Sequence, residues 1–512
     1  MSIIATVGLT KKFGNFTAND HIDLSVAPQE IKCIVGENGA GKSTLMNMLY
    51  GSLPPTSGKI LIDGQEVRFR SPLDAIACGI GMVHQHFKLV PSLTVYENIL
   101  LGAEIQKKTL GIPFIDRDAE IKSVQALIDK YHFQLDPLAR VADLSVGLCQ
   151  QLEILKMLQR NVRILILDEP TSVLTPQEVD RLMDNLKELK AAGKTILVIT
   201  HKLREVMGMS DSVTVIKQGK VVGNVKTAET DEKQLAQMMV GRDVLLTVTN
   251  DENTSGISTA SNPVYRVKDL RTVNDLGQEV LSGISFDVHK GEVFGIAGVE
   301  GNGQSELVKV LTGLMIATHG SVSIDGKDIT NQWPDRLRKQ GVGIIPEDRY
   351  AQGLCREMSI PENCIAGYLG DKEICTLGVF RRNNIRKRRD HFVAKYDIRL
   401  ADKEGSVSQL SGGNAQKIII ARELDKNPRL IIAGQPTRGV DIGSIEFIHK
   451  QLLSFRNKGH SVLLISSELS EIMSLSDRVA VMYRGEIVDV VDPKHTSTQT
   501  IGLLMAGEKP AV

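Results

Sequence analysis

The chain has 512 residues, too many for one hydrophobic core, so two or more domains are expected. Apolar residues make up 42% and charged residues 24%, as in ordinary globular protein, and 61 basic residues balance 61 acidic ones. Zero formal charge gives no electrostatic case for a nucleic-acid binder. The six cysteines are scattered without a CxxC pair, which argues against a zinc site or disulfide framework and fits a reducing cytosol. Residues 1–14 lack a basic stretch followed by an apolar one, so no secretory signal is expected. The longest apolar runs, at 163–168 and 461–466, are of buried-strand length.

In chain order, the first strong motif is "GENGAGKST" at 36–44, comprising Gly36, Glu37, Asn38, Gly39, Ala40, Gly41, Lys42, Ser43 and Thr44. It fits the phosphate-loop pattern G-x-x-x-x-G-K-[ST] between an apolar strand and a helix-like stretch. Backbone N–H groups would converge on phosphate at the helix N-terminus. Lys42 would add charge to the β/γ oxygens, and Ser43 a hydroxyl to Mg²⁺. Next, "ILILDEP" at 164–170 reads as a strand ending in two acids. Asp168 suits the Mg²⁺ shell, and Glu169 suits a general base polarising the attacking water. A helix-like stretch at 176–193 is followed by the strand "TILVIT" at 195–200, the alternation of an α/β fold with a largely parallel sheet.

The chain then repeats itself. "IVGENGAGKST" (34–44) returns as "IAGVEGNGQSE" (296–306), and "GMVHQHF" (81–87) as "GIIPEDR" (343–349). "LSVGLCQQLEILK" (144–156) returns as "LSGGNAQKIIIAR" (410–422), and "EPTSVLT" (169–175) as "QPTRGVD" (435–441). Blocks in one order at nearly one spacing mark a tandem duplication. The polar stretch 249–263 reads as a linker, giving domains at 1–248 and 264–512.

"LSGGNAQK" (410–417) resembles the signature motif of ATP-binding cassette (ABC) ATPases, and with it the resemblance covers almost the whole chain. It implies an α/β fold of tandem P-loop (RecA-like) domains, each with an antiparallel β subdomain and an α-helical subdomain. It also implies ATP and Mg²⁺ as ligands. Phe13 resembles the aromatic residue that stacks on adenine, Gln85 the glutamine that touches Mg²⁺ and senses the γ-phosphate, and His201 the switch histidine. In this family each nucleotide lies between the phosphate loop of one half and the signature of the other. One expected site therefore combines Lys42, Ser43, Gln85, Asp168, Glu169 and His201 with Ser411, Gly412, Gly413 and Asp441. The other combines Gly298, Gly301, Gly303, Gln304 and Ser305 with Glu347, Gly434, Gln435 and Ser467. Ser145, Val146, Gly147, Leu148 and Thr175 would close that second site. Every departure from the family pattern falls on the second site. Hydrolysis is expected at the first only, with nucleotide retention open at the second.

Tandem cassettes of this kind resemble the ATPases of sugar and nucleoside importers, whose second half carries variants like "IPEDR" (345–349) and "QPTRG" (435–439). The stretch 81–102 is closer in pattern to nucleoside importers than to ribose or galactose importers. Two separate permease subunits would then be the direct partners and an extracytoplasmic substrate-binding (lipo)protein an indirect one. The chain would sit at the cytoplasmic face of the membrane without touching transport substrate. Permease loops would dock near the insertions at 86–143 and 348–409. The alternative is a soluble tandem ABC protein acting in translation or on nucleic acid, against which the short polar linker and zero net charge argue. The one basic cluster, "RRNNIRKRR" at 381–389, reads as a solvated helix face, with contact to anionic lipid or a permease loop as the lesser reading.

Overall fold

The computed structural model describes residues 2–14, 16–37, 39–84, 87–109, 112–171, 174–241, 262–274, 276–299, 301–400 and 402–508. Gln85, Asn38 and positions 249–261 of the expected linker lie outside these residues. The chain divides into two compact units, 1–244 and 245–512.

In the first unit a six-stranded sheet runs in the order Lys220–Lys226, Ser212–Lys217, Ile31–Val35, Thr195–Ile199, Ile164–Asp168, Ile80–Val83. All neighbours are parallel except the Ser212–Lys217/Lys220–Lys226 hairpin. Ile31–Val35 and Thr195–Ile199 are buried along their whole length, which is why they read as unbroken apolar runs rather than alternating ones. An antiparallel four-stranded sheet, in the order Phe16–Val26, Ile4–Phe13, Ser57–Ile62, Gln65–Val67, packs over the phosphate-loop helix Lys42–Leu49. A helical region, Val95–Leu100, Arg117–Lys130 and Val146–Gln159, fills the stretch between the strands Ile80–Val83 and Ile164–Asp168.

The second unit repeats this plan. Its six strands run Val342–Ile345, Leu430–Gly434, Ser461–Ser466, Val293–Ala297, Arg478–Tyr483, Glu486–Val491, and its four-stranded sheet begins Glu279–Val288, Tyr265–Val273, His319–Ile324. Its helical region comprises Ile360–Asn363, Arg382–Lys395 and Gly412–Leu424. Each helical region also holds a small hairpin that the sequence pattern does not announce, Gln106–Thr109/Ile112–Ile115 and Cys375–Thr376/Val379–Phe380.

The basic run corrects one expectation. It opens the helix Arg382–Lys395, but it is not uniformly solvated. Arg389 is buried, with Nη1 donating to Glu404 Oε1 and Lys403 O, and Arg388 stacks on Tyr368 and Phe392 with ring-centroid distances of 5.6 and 5.4 Å. Helical spacing turns these two toward Glu404 and Tyr368 of other segments and Phe392 of the same helix, while Arg386 and Lys387 stay exposed.

Candidate functional site

In the first unit the loop after Ile31–Val35 turns into the helix Lys42–Leu49 through Gly41, at φ 99°. A side chain there would put Cβ 2.4 Å from Ala18 O, so the position demands glycine on both counts. Lys42 is buried and folds back over its own loop, Nζ donating to Gly36 O (2.7 Å) and Glu37 O (3.0 Å). Burial pulls its pKa down, opposed by the charges of Glu169, Asp168 and Glu37. The ammonium thus waits over the cradle in bonds that an arriving phosphate can replace.

Parallel pairing of Ile164–Asp168 with Thr195–Ile199 brings the two acids and the switch position to one sheet end, Ile199 opposite Asp168. His201 Nδ1 lies 3.0 Å from Glu169 Oε1. Burial would raise the Glu169 carboxyl, but the His201 hydrogen bond and the charges of His201, Lys42 and Lys202 hold it below its ordinary value. Asp168 goes the other way: burial and the neighbouring Glu169 raise it, against a hydrogen bond from Ser43 and the charge of Lys42. Hard oxygen ligands of Asp168 and Ser43, side by side at the loop, fit a magnesium shell. Glu169 itself sits at φ 47°, held by its N–H donating to Ile199 O (2.9 Å). Such left-handed backbone at a non-glycine residue costs about 1–3 kcal/mol and collects at functional sites. Phe13 is 49% exposed on its strand, available to a flat ligand rather than consumed by the core.

The second unit rebuilds the same frame with neutral parts. Gly303 turns the loop at φ 98°, and Gly298 and Gly301 keep its course. Gln304, buried where Lys42 stands, donates through Nε2 to Ile296 O (3.1 Å) and Ser466 O (3.2 Å), and its Oε1 has no hydrogen-bond partner among the described residues. Gln435 takes the backbone pose of Glu169, φ 44° with N–H donating to Ile465 O (2.7 Å). Its Oε1 accepts from Ser467 N and Oγ, both at 3.2 Å, so an amide–hydroxyl pair replaces carboxylate–imidazole. Gly434 offers no ligand, and a Cβ there would lie 3.2–3.3 Å from the Val308 methyls, closer than ordinary contact. Ser305 alone does not make a magnesium shell, and these residues do not fit the metal. Glu347 is committed to Arg438, Oε1 to Nη1 at 3.1 Å.

The two signature stretches each cap a helix. Ser145 accepts from Leu148 N (3.3 Å) at the head of Val146–Gln159. Ser411 accepts from Asn414 N (3.4 Å) and Nδ2 (3.0 Å) at the head of Gly412–Leu424. Thr175 and Asp441 cap the helices that follow the acid pair and its glycine–glutamine counterpart.

Two features escape a reading of motifs. Buried Glu205 accepts from Thr171 Oγ1 (2.6 Å), and its counterpart Glu471 accepts from Thr437 Oγ1 (2.9 Å), fixing each loop to the helix behind it. Arg349 reaches three backbone carbonyls, Gly412 O at the second signature and Arg438 O and Gly439 O in the loop before Asp441. The only signal for it in the sequence is that the repeat carries Phe87 at that place.

A family model described as ABC transporter matches residues 19–172 and 281–438. The nucleoside import ATP-binding protein NupA of Lactococcus lactis is 44% identical over 99% of this chain and 98% of its own. The guanosine import ATP-binding protein NupO of Bacillus subtilis is 45% identical over 99% and 97%, and the glucose import ATP-binding protein TsgD13 of Haloferax volcanii 41% identical over 98% and 94%. A solved ATP-binding cassette in its ADP conformation, 26% identical, aligns with 47% of this chain and 100% of its own at a TM-score of 0.42. Two phosphate loops on duplicated α/β frames, two signature helices and these full-length similarities lead to one assignment: the chain belongs to the ABC transporter family, as a tandem of two ATP-binding cassettes.

Proposed function

We propose that the chain is the ATP-hydrolysing subunit of an importer for nucleosides, with ATP turned over on the first unit's phosphate loop alone. Full-length similarity to two nucleoside-import ATP-binding proteins carries the substrate class. The similarity to a glucose-import protein at 41% keeps simple sugars, ribose and galactose types included, as the second reading. Among the described residues no helix is long and apolar enough to cross a membrane, so translocation falls to partners. Two permease subunits would carry the chain at the cytoplasmic membrane face, with an extracytoplasmic binding (lipo)protein delivering substrate.

At the first unit's site Lys42 leaves the carbonyls of Gly36 and Glu37 for the β/γ-phosphate oxygens. Phe13 stacks on the base. Gly36, Glu37, Asn38, Gly39, Ala40, Gly41, Ser43 and Thr44 surround the phosphates. Asp168 and Ser43, with Gln85, would hold Mg²⁺, which neutralises charge on the phosphate oxygens. Glu169, kept ionised, takes a proton from the attacking water, and His201 holds that carboxylate in place and faces the γ-phosphate. From the sequence pattern, the second half's Ser411, Gly412 and Gly413, with Asp441, complete this site. On the same pattern Ser145 and Gly147 would close the loop at Gln304 and Ser305, where no turnover is expected. The test is ATPase of the chain reconstituted with its permease in liposomes. Nucleoside-loaded binding protein should stimulate turnover and sugar-loaded binding protein should not; the reverse result selects the sugar reading.

A further inference from the structure

The second unit holds its signature and the loop before Asp441 together with a device the first unit lacks. The strand Val342–Ile345 leads into "PEDR", 346–349. Asp348 Oδ1 accepts from Tyr350 N (2.8 Å) and Ala351 N (2.9 Å), capping the turn Arg349–Gly353. From that turn the Arg349 guanidinium donates through Nη1 to Gly412 O (3.1 Å), at the start of the signature helix. Its Nη2 donates to Arg438 O (2.5 Å) and Gly439 O (3.0 Å). Gly439 sits at φ 65°, and a Cβ there would come within 2.7 Å of Nη2, so the glycine clears the approach. A second strap joins the same segments, Glu347 to Arg438 at 3.1 Å. The planar fork of arginine can bond separate carbonyls at its two ends, which a point charge cannot. In the first half the corresponding residues are Gln85, Phe87, Ser172 and Val173, so neither strap can form.

We infer that Arg349, supported by the Glu347–Arg438 pair, is a positioning residue for ATP hydrolysis: it fixes the signature Ser411–Gly413 relative to the loop 438–441. The inference rests on the reading that this signature serves the nucleotide on Lys42. The strap exists only in the half whose signature keeps "SGG" and Asp441. A signature and an aspartate that close on one γ-phosphate must keep a fixed spacing, and displacements of about an ångström cost up to about a hundredfold in rate.

The experiment uses the full chain with its permease and compares Arg349→Met, Glu347→Arg, Arg438→Glu and the double Glu347→Arg/Arg438→Glu with wild type. Arg349→Met keeps the stem and removes the donors. It should lower kcat about ten- to a hundredfold, while the affinity for a fluorescent ATP analogue on the Lys42 loop, measured with Glu169→Gln present, changes less than about twofold. The charge-reversed pair should regain most of what each single reversal loses. Turnover by Arg349→Met within twofold of wild type, or a loss matched by equal loss of ATP affinity, overturns the inference, as does a double variant no better than its singles. Ser411→Arg separates the two levels. If it leaves turnover intact, the reading of the signature itself fails; if it abolishes turnover while Arg349→Met does not, the positioning role alone fails.

Discussion

Lys42 and Gln304 stand at the same point of two loops of nearly the same shape, with Gly41 and Gly303 at φ 99° and 98°. Glu169 and Gln435 share a strained backbone pose and the same bond to the neighbouring strand. The two units therefore differ in chemistry rather than in frame. Backbone geometry follows from glycines, strand pairing and the strand-end turn, all of which both halves retain. Charge does not: the ammonium, both carboxylates and the imidazole are replaced in the second unit by amides, glycine and a hydroxyl. Retained strain at Gln435, with no general base to present, shows that the frame is kept by the fold as a whole.

The sharpest way to break this comparison is at the bases. Glu169→Gln should lower kcat by about 10²–10⁴, whereas Gln435→Glu should leave it unchanged and add no second site. Adding Gly434→Asp should not help either, because Gln304 and Ser467 still stand where the first unit has Lys42 and His201. Single-turnover ATP hydrolysis checks all three, and any turnover gained by the second unit would refute the division of labour.

A second contrast concerns stability. Glu423 is fully buried and paired with Arg338 (3.1 Å) and Arg422 (3.2 Å), and it accepts from Tyr368 Oη (2.8 Å). The first unit has Met157 there. Burial raises the Glu423 carboxyl, but the two guanidiniums and the hydrogen bonds from Arg338 and Tyr368 outweigh it and hold the pKa low. A depressed native pKa adds stability that is complete above the unfolded value of about 4.3 and is lost as pH falls through the native value. Glu423→Gln, leaving buried Arg422 and half-buried Arg338 without their carboxylate, should destabilise the second unit by about 3–5 kcal/mol at neutral pH. Hydrogen exchange in urea, read separately for residues 2–241 and 262–508, should show the loss in the second range only.

Next in size is Lys42→Ala. Loss of a charged donor to phosphate should weaken ATP binding by roughly 1.5–3 kcal/mol. Gln304→Ala should change total nucleotide binding far less, because Nε2 is spent on Ile296 O and Ser466 O. Equilibrium dialysis of the two variants decides it.

How much of this the sequence carries differs by element. The duplication, the phosphate loop and the strand ending in Asp168 are legible because each is local: a glycine pattern or an apolar run beside its own turn. Arg349 and Glu423 are not legible, because the carbonyls that Arg349 reaches lie 63 to 90 residues away, Glu423 meets Arg338 and Tyr368 from 85 and 55 residues away, and nothing periodic marks a charged side chain's choice among distant partners. The run 381–389 misleads for the same reason. Its composition suggests solvent, but the helix turns Arg388 and Arg389 inward to Tyr368 and Glu404.

The smallest effect isolates chemistry from folding most cleanly. Thr175 and Glu178 form a reciprocal cap, Thr175 N donating to Glu178 Oε2 (2.9 Å) and Glu178 N to Thr175 Oγ1 (3.3 Å). At the corresponding helix Asp441 and Ser444 exchange roles, Ser444 N donating to Asp441 Oδ1 (2.8 Å) and Ser444 Oγ to Asp441 Oδ2 (2.9 Å). The carboxylate has moved from the third helical position to the cap, and in both helices the N–H of the third position is accepted by the cap side chain. Either arrangement packs beside the equivalent signature glycine of its own unit, since a Cβ on Gly147 would meet Glu178 at 2.4 Å and one on Gly413 would meet Ser444 at 2.1 Å. Good caps differ among themselves by less than about 1 kcal/mol, so exchanging the pairs in either direction should barely shift the melting temperature. Asp441→Thr with Ser444→Glu should nonetheless lower ATP turnover, while Thr175→Asp with Glu178→Ser should not. Equal loss of turnover in both exchanges would mean that the two caps serve one function, and that the chemical difference between the halves does not extend to these helix caps.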